Sequence, residues 1–79
     1  MDVRYLVDTT VVARSRSDLV RDLAEMLARE RVPLVKMDSF PKGDMVTLAL
    51  SLQVTDGDQL KRVLSLLSDV KGVSVAHRA

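Results

Sequence analysis

Two stretches of this chain alternate strictly along their length, and each runs into a helical pattern a few residues later. From Arg4 to Ala13, one side carries Tyr5, Val7, Thr9, Val11 and Ala13, and the other carries Arg4, Leu6, Asp8, Thr10 and Val12. Further on, Val46, Leu48, Leu50, Leu52 and Val54 alternate with Met45, Thr47, Ala49, Ser51 and Gln53. Period two with β-branched residues specifies strands. The second of these strands has one greasy side, and a sheet built on such strands covers one face and leaves the other bare.

Between them, Ser17 is a natural N-cap and Asp18 suits a first helical turn. Leu19, Val20, Leu23, Met26 and Leu27 then form the apolar stripe of a helix ending near Arg31. Pro33 cannot donate to a ladder, so the strand from Val32 to Ser39 is expected at a sheet edge. Pro41-Lys42-Gly43-Asp44 reads as a turn. After the long strand, Thr55 or Asp56 caps a second helix with Leu60, Val63, Leu64 and Leu67 inward. Lys71-Gly72 stops it, and Val73 to Arg78 forms a last short strand.

The order is βαββαβ, an α+β, ferredoxin-like arrangement. It predicts a four-stranded antiparallel sheet in the order 4-1-3-2 with both helices on one face. The bare face is expected to show Asp8, Thr10, Val12, Thr47, Ala49, Ser51 and Gln53. With 79 residues the chain reads as one domain, of a size that buries about 60% of its unfolded surface. Apolar stretches of four residues or fewer fall far short of the roughly 20 that span a bilayer, so no membrane is expected. Met1-Asp2-Val3-Arg4 lacks the basic start of a secretory signal, and Met1 reads as a start at a domain edge.

The residue inventory removes several chemistries that this topology can host. With no cysteine and a single His77, the chain lacks the paired thiolates of heavy-metal chaperones, and no metal ligand set or cofactor is expected. Acylphosphatases need an asparagine beside a loop arginine; Arg16 is present, but no Asn. RNA-recognition domains stack bases on open-face aromatics, whereas Tyr5 is expected on the core face and Phe40 in a turn. His77 reads as an exposed edge residue, and Asp56 and Asp58 read as caps. Twelve basic residues against eleven acidic give a formal charge of +1, which announces no polyanion partner. Arg14, Arg16 and Arg21 gather at the first helix start, where amides and helix dipole favour an anion. The alternative is that Arg21 pairs with Asp18 or Glu25 while Arg14 and Arg16 stay solvated.

Arg16-Ser17-Asp18-Leu19-Val20-Arg21-Asp22-Leu23, followed by Leu27-Ala28-Arg29-Glu30-Arg31-Val32-Pro33-Leu34-Val35, resembles an ACT domain. The likeness is strongest to the carboxyl-terminal ACT domain of RelA/SpoT-type GTP pyrophosphokinases, which read D-R-x-G-L-L-R-D and later M-x-L-x-V-E-V and V-x-x-V-R-R. The counterparts here are Leu48-Ala49-Leu50-Ser51-Leu52-Gln53-Val54 and Val73-Ser74-Val75-Ala76-His77-Arg78. The resemblance implies that residues 1–79 are a non-catalytic regulatory domain of a larger cytoplasmic enzyme, which moves pyrophosphate from ATP to GTP or GDP with residues outside this chain.

It also implies a ligand loop at Arg14, Ser15, Arg16, Ser17, Asp18 and Leu19. Asp18 stands where the family carries glycine and Ser15 where it carries an acid or amide. A carboxylate at that position repels a ligand carboxylate, so weak or absent amino-acid binding is expected. The expected partners are a second copy, sister domains of the parent and, in the long enzymes of the family, the ribosome. Self-association is expected through the edge carrying Pro33, Leu34, Val35, Lys36 and Met37, or through the bare face. Two other readings are an amino-acid-binding effector switch of another metabolic enzyme, in which the backbone of Arg14, Ser15, Arg16 and Ser17 cradles an anionic ligand at a dimer seam, and an RNA-contacting module using Arg14, Arg16, Lys36 and Lys42.

Overall fold

The structure is a computed structural model that describes residues 3–79, so the reading of Met1 lies outside the described residues. Its elements run β1 (Tyr5–Arg14), α1 (Leu19–Arg29), β2 (Leu34–Lys42), β3 (Met45–Val54), α2 (Gly57–Ser68) and β4 (Val73–Arg78). All strand pairs are antiparallel, in the order β2-β3-β1-β4, which is the expected 4-1-3-2 read from the opposite edge. The two long alternating strands take the centre, and the ferredoxin-like architecture follows. No helix among the described residues is long and apolar enough to cross a membrane.

Register joins the two alternations into one apolar floor. Val7, Val11 and Ala13 lie opposite Leu52, Leu48 and Val46, and all six are buried. Thr9 shares that face and is equally buried, its hydroxyl donating to the Leu50 carbonyl at 3.0 Å. A polar group is tolerated there because its hydrogen bond is made. Leu19, Leu23, Met26 and Leu27 of α1 and Leu60, Val63 and Leu67 of α2 roof the floor as a single cluster. Each leucine so covered contributes about 1.5–3 kcal/mol.

Val20 departs from its expected place: it is 42% exposed. It sits one residue round the helix from Leu19 and overhangs β2, where no second layer lies above it. Tyr5 also departs, at 58% exposed. It has core-face parity but lies at the strand end, beyond the roof. Leu64 is half-buried.

Strand β2 is longer than expected and takes in Phe40, Pro41 and Lys42, leaving Gly43 and Asp44 as a two-residue hairpin turn. Gly43 has φ +62°, which a hairpin of this length needs at its first central residue. Pro41 fits inside the strand because Lys42, Phe40 and Asp38 turn their backbone groups toward β3 and Pro41 turns outward, where a missing N–H breaks no ladder bond. Phe40 therefore stands on the bare face beside Thr47, not in a turn.

The helix ends use different chemistry. Asp56 Oδ1 accepts from the Gln59 amide at 2.8 Å, and Gln59 Oε1 accepts from the Thr55 amide at 2.7 Å, a reciprocal cap on α2. Ser17 does not cap α1. A tight turn closes from the Leu19 amide to the Arg16 carbonyl at 3.2 Å and puts Asp18 in the cap position, without a side-chain cap bond.

At the other end, the Val32 amide donates to Leu27 O and the Arg31 amide to Ala28 O, at 2.9 and 3.1 Å, while Arg31 adopts φ +58°. This is a Schellman close with buried Val32 against buried Leu27, at a position that usually holds glycine. Arg31→Gly is therefore expected to stabilise the domain by roughly 0.5–1 kcal/mol, the left-handed penalty less glycine's extra chain entropy. Urea unfolding reads this as a higher midpoint at unchanged slope.

Candidate functional site

The loop from Arg14 to Asp18 is clamped from two sides. On one side the Ser15 amide donates to Asp44 O at 2.9 Å, and Arg14 Nη1 reaches Asp44 Oδ2 at 2.8 Å, tying the loop to the β2–β3 hairpin. On the other, the Arg14 amide donates to Gly72 O at 2.8 Å and Arg16 Nε to Lys71 O at 3.1 Å, tying it to the turn before β4. Gly72 carries φ +88°, and an added Cβ would stand 3.6 Å from Arg14 O. Only glycine serves comfortably at this crossing.

Arg16 is the centre of the clamp. Its Nη2 lies 2.7 Å from Asp22 Oδ2, and the side chain is only 24% exposed. That nitrogen is buried beside the Asp22 carboxylate without a well-aligned hydrogen bond. Arg16 is thus a half-buried pin rather than a solvated loop residue. Arg21 lies 3.5 Å from Asp18, 3.4 Å from Asp22 and 3.9 Å from Glu25, as its helical spacing suggested. Arg14 is the last residue of β1 and is spent on Asp44; Lys36 is within 3.6 Å of Asp38. Of the four cations read as phosphate contacts, Lys42 is the one without an ion-pair partner among the described residues.

Of the six loop candidates, Ser15, Arg16 and Leu19 line a cavity of about 210 Å³, closed on the other side by Val20, Ser39, Pro41, Val46 and Leu48. Arg14, Ser17 and Asp18 do not line it. The amides of Arg16, Ser17 and Asp18 donate to no backbone carbonyl among the described residues, so anion-binding donors remain. They sit beside the exposed Asp18 carboxylate. The β2 wall of this cavity was not foreseen, because Ser39 was placed at the end of a strand and Pro41 in a turn. Asp22 and Lys71 were missed as partners of Arg16, since neither spacing follows a helical or strand period. Among the described residues no group of three or more His, Asp or Glu side chains is placed to hold a metal.

The expected association edge is only partly open. Pro33 precedes β2, and its carbonyl accepts from the Gln53 amide at 3.0 Å, inside the sheet. Val35 is the extra residue of a bulge between Leu34 and Lys36 and is 55% exposed. Met37 and Ser39 turn their backbone groups outward, and Lys36 turns inward. Exposed Val20, Val35 and Met37 flank this outward edge on the helix side. The bare face carries the expected Asp8, Thr10, Val12, Thr47, Ala49, Ser51 and Gln53, joined by Phe40 and Val75 across one row. Ser51 donates to Asp8 at 2.7 Å. His77 is exposed on β4.

The short contact with Arg16 holds the Asp22 carboxyl below its ordinary value of 3.8; desolvation opposes this, and Arg21 adds to it. A carboxyl depressed in the folded state favours folding above the unfolded pKa, and that advantage is lost as pH falls through the folded value. Unfolding midpoints measured between about pH 5 and pH 2 are therefore expected to fall less steeply for Asp22→Asn than for the parent chain. Asp22→Asn is also expected to be the less stable of the two at neutral pH.

Residues 1–78 match the family model described as ACT domain. Among solved structures, the chain is similar to the ACT domain from GTP pyrophosphokinase of Chlorobium tepidum, with TM-score 0.83 and 17% identity, covering 98% of this chain and 100% of that one. It is also similar to the C-terminal domain of the MgtC protein from Mycobacterium tuberculosis, with TM-score 0.75 and 19% identity, over 99% and 87% of the two chains. A homoserine dehydrogenase from Thiobacillus denitrificans matches at TM-score 0.79 and 15% identity, over 98% of this chain and 17% of that one. No curated protein matches. These likenesses are to the fold, and the match across residues 1–78 is to the family: this chain belongs to the ACT-domain family.

Proposed function

We propose that the chain is the regulatory ACT domain of a cytoplasmic GTP pyrophosphokinase, a (p)ppGpp synthetase or hydrolase, and that it acts by pairing with a second copy and with sister domains. The parentage is supported by the Arg16–Leu23, Leu48–Val54 and Val73–Arg78 patterns and by the full-length likeness to the Chlorobium tepidum domain. Catalysis by the parent belongs to residues outside this chain.

The pairing reading rests on one observation: β2 is an edge strand whose Met37 and Ser39 backbone groups point outward beside exposed Val20, Val35 and Met37. An edge with unmet donors and acceptors and an apolar margin is a template for another strand. Two-fold pairing there also sets a second copy against the mouth of the 210 Å³ cavity, next to Ser39 and Pro41. Sedimentation equilibrium is expected to give a dimer for the wild type and the monomer mass for Met37→Lys, since a charge on an edge strand opposes pairing. Wild type at monomer mass at high micromolar concentration overturns the reading.

An effector role for the loop is disfavoured by Arg16 being spent on Asp22 and by the Asp18 carboxylate beside the free amides. Calorimetry with branched-chain amino acids is expected to show no micromolar binding by the wild type, and a gain on Asp18→Gly. Micromolar binding by the wild type reverses this.

A further inference from the structure

Unpaired positive charge gathers where the end of α1 meets the start of α2. Arg29 in the last turn of α1, Arg31 just beyond it and Lys61 early in α2 are all exposed, and none has an ion-pair partner among the described residues. The contact of Arg62 with Glu30 at 2.7 Å joins the two helix ends, so the three cations flank one ion pair. Arg4 stands beside Arg31, with Ala28 and Pro33 between them. The nearby carboxylates are mostly occupied: Glu30 by Arg62 and Asp56 by the Gln59 amide, which leaves exposed Asp58.

Arg31 adds an observation of a different kind. Its φ of +58° is a left-handed backbone that suits glycine and strains an arginine. Nothing inside the fold offsets the strain, since the side chain is exposed and pairs with no acid among the described residues. Arg29 already meets the dipole at the α1 end. Strained residues of this sort gather where a side chain serves binding.

We propose that this end of the helix layer docks an acidic peptide segment of a partner protein, whose carboxylates pair with Arg29, Arg31 and Lys61. Guanidinium forks suit carboxylates, which they hold through two parallel bonds. The interleaved acids decide between a polypeptide and a nucleic acid. A phosphate backbone bears charge at every step and meets Asp58 and Glu30 as well as the cations, whereas acidic side chains can be spaced to face the cations alone. The surface is formed by helix ends and does not depend on pairing at the β2 edge.

The test is an amide NMR titration of the 79-residue chain at low salt with a capped peptide, Gly-Glu-Glu-Ser-Glu-Glu-Gly, up to about 5 mM, a range that registers millimolar affinity. Selective shifts at Arg29, Arg31 and Lys61 are expected, lost with the peptide in which each Glu is Gln. Arg31→Gln and Lys61→Gln are each expected to weaken binding roughly two- to fivefold, and Lys42→Gln, at the far end of the sheet, to leave it unchanged. Arg31→Gly is expected to weaken binding while raising the urea midpoint, which separates a lost contact from lost folding. No selective shift, equal shifts from the Gln peptide, a loss with Lys42→Gln equal to that with Arg31→Gln, or tighter binding of a twelve-residue oligouridylate, meaning that phosphate is the preferred ligand, overturns the proposal.

Discussion

Burial on one side of the β1–β3 pair governs the rest of this molecule. Ten residues of β1 lie opposite ten of β3, and on the buried side the register sets Val7, Val11 and Ala13 against Leu52, Leu48 and Val46, with Thr9 against Leu50. A slip by a single residue would turn the whole set to solvent, so the hydrophobic effect fixes the register as firmly as it fixes the fold. The two helices cover that face, and the opposite face keeps Asp8, Thr10, Ala49 and Ser51 in contact with water. The satellite strands β2 and β4 then inherit their places at the edges.

The charged residues are arranged to hold this scaffold together. Arg16 ties its own loop after β1 to Asp22 on the α1 that follows it and to the Lys71 carbonyl before β4, 55 residues away. Glu30 at the end of α1 accepts from Arg62 of α2 at 2.7 Å, so the helices are also joined near their opposite ends. Five of the twelve basic residues, Arg14, Arg16, Arg21, Lys36 and Arg62, are in ion pairs among the described residues. Exposed pairs of this kind add little stability singly. The half-buried Arg16–Asp22 contact is different because it holds the Arg14–Asp18 loop against α1.

What the scaffold leaves unfinished is backbone rather than catalytic chemistry. β2 presents outward donors and acceptors at Met37 and Ser39, while Pro41 presents only its carbonyl, so the row of outward donors ends before the hairpin. This edge has an apolar margin in Val20, Val35 and Met37. The family to which the chain belongs is a regulatory one.

Local periodicity sufficed for the element order, the strand faces and the inward stripes of both helices, because alternation and helical spacing are properties of neighbouring residues. The family likeness was legible for the same reason, being mostly a pattern of apolar positions. Tertiary structure alone decided which residues meet across the fold. Arg16 finds the Lys71 carbonyl only when the loop after β1 meets the turn before β4, Ser39 and Pro41 become a cavity wall only when β2 runs on to Lys42, and Val20 stays exposed because no layer covers β2. Pro41 shows the limit most plainly. Its missing N–H suggests a turn when read locally, yet it costs nothing in an edge strand once the direction of each backbone group is known, and that direction is a property of pairing and not of composition.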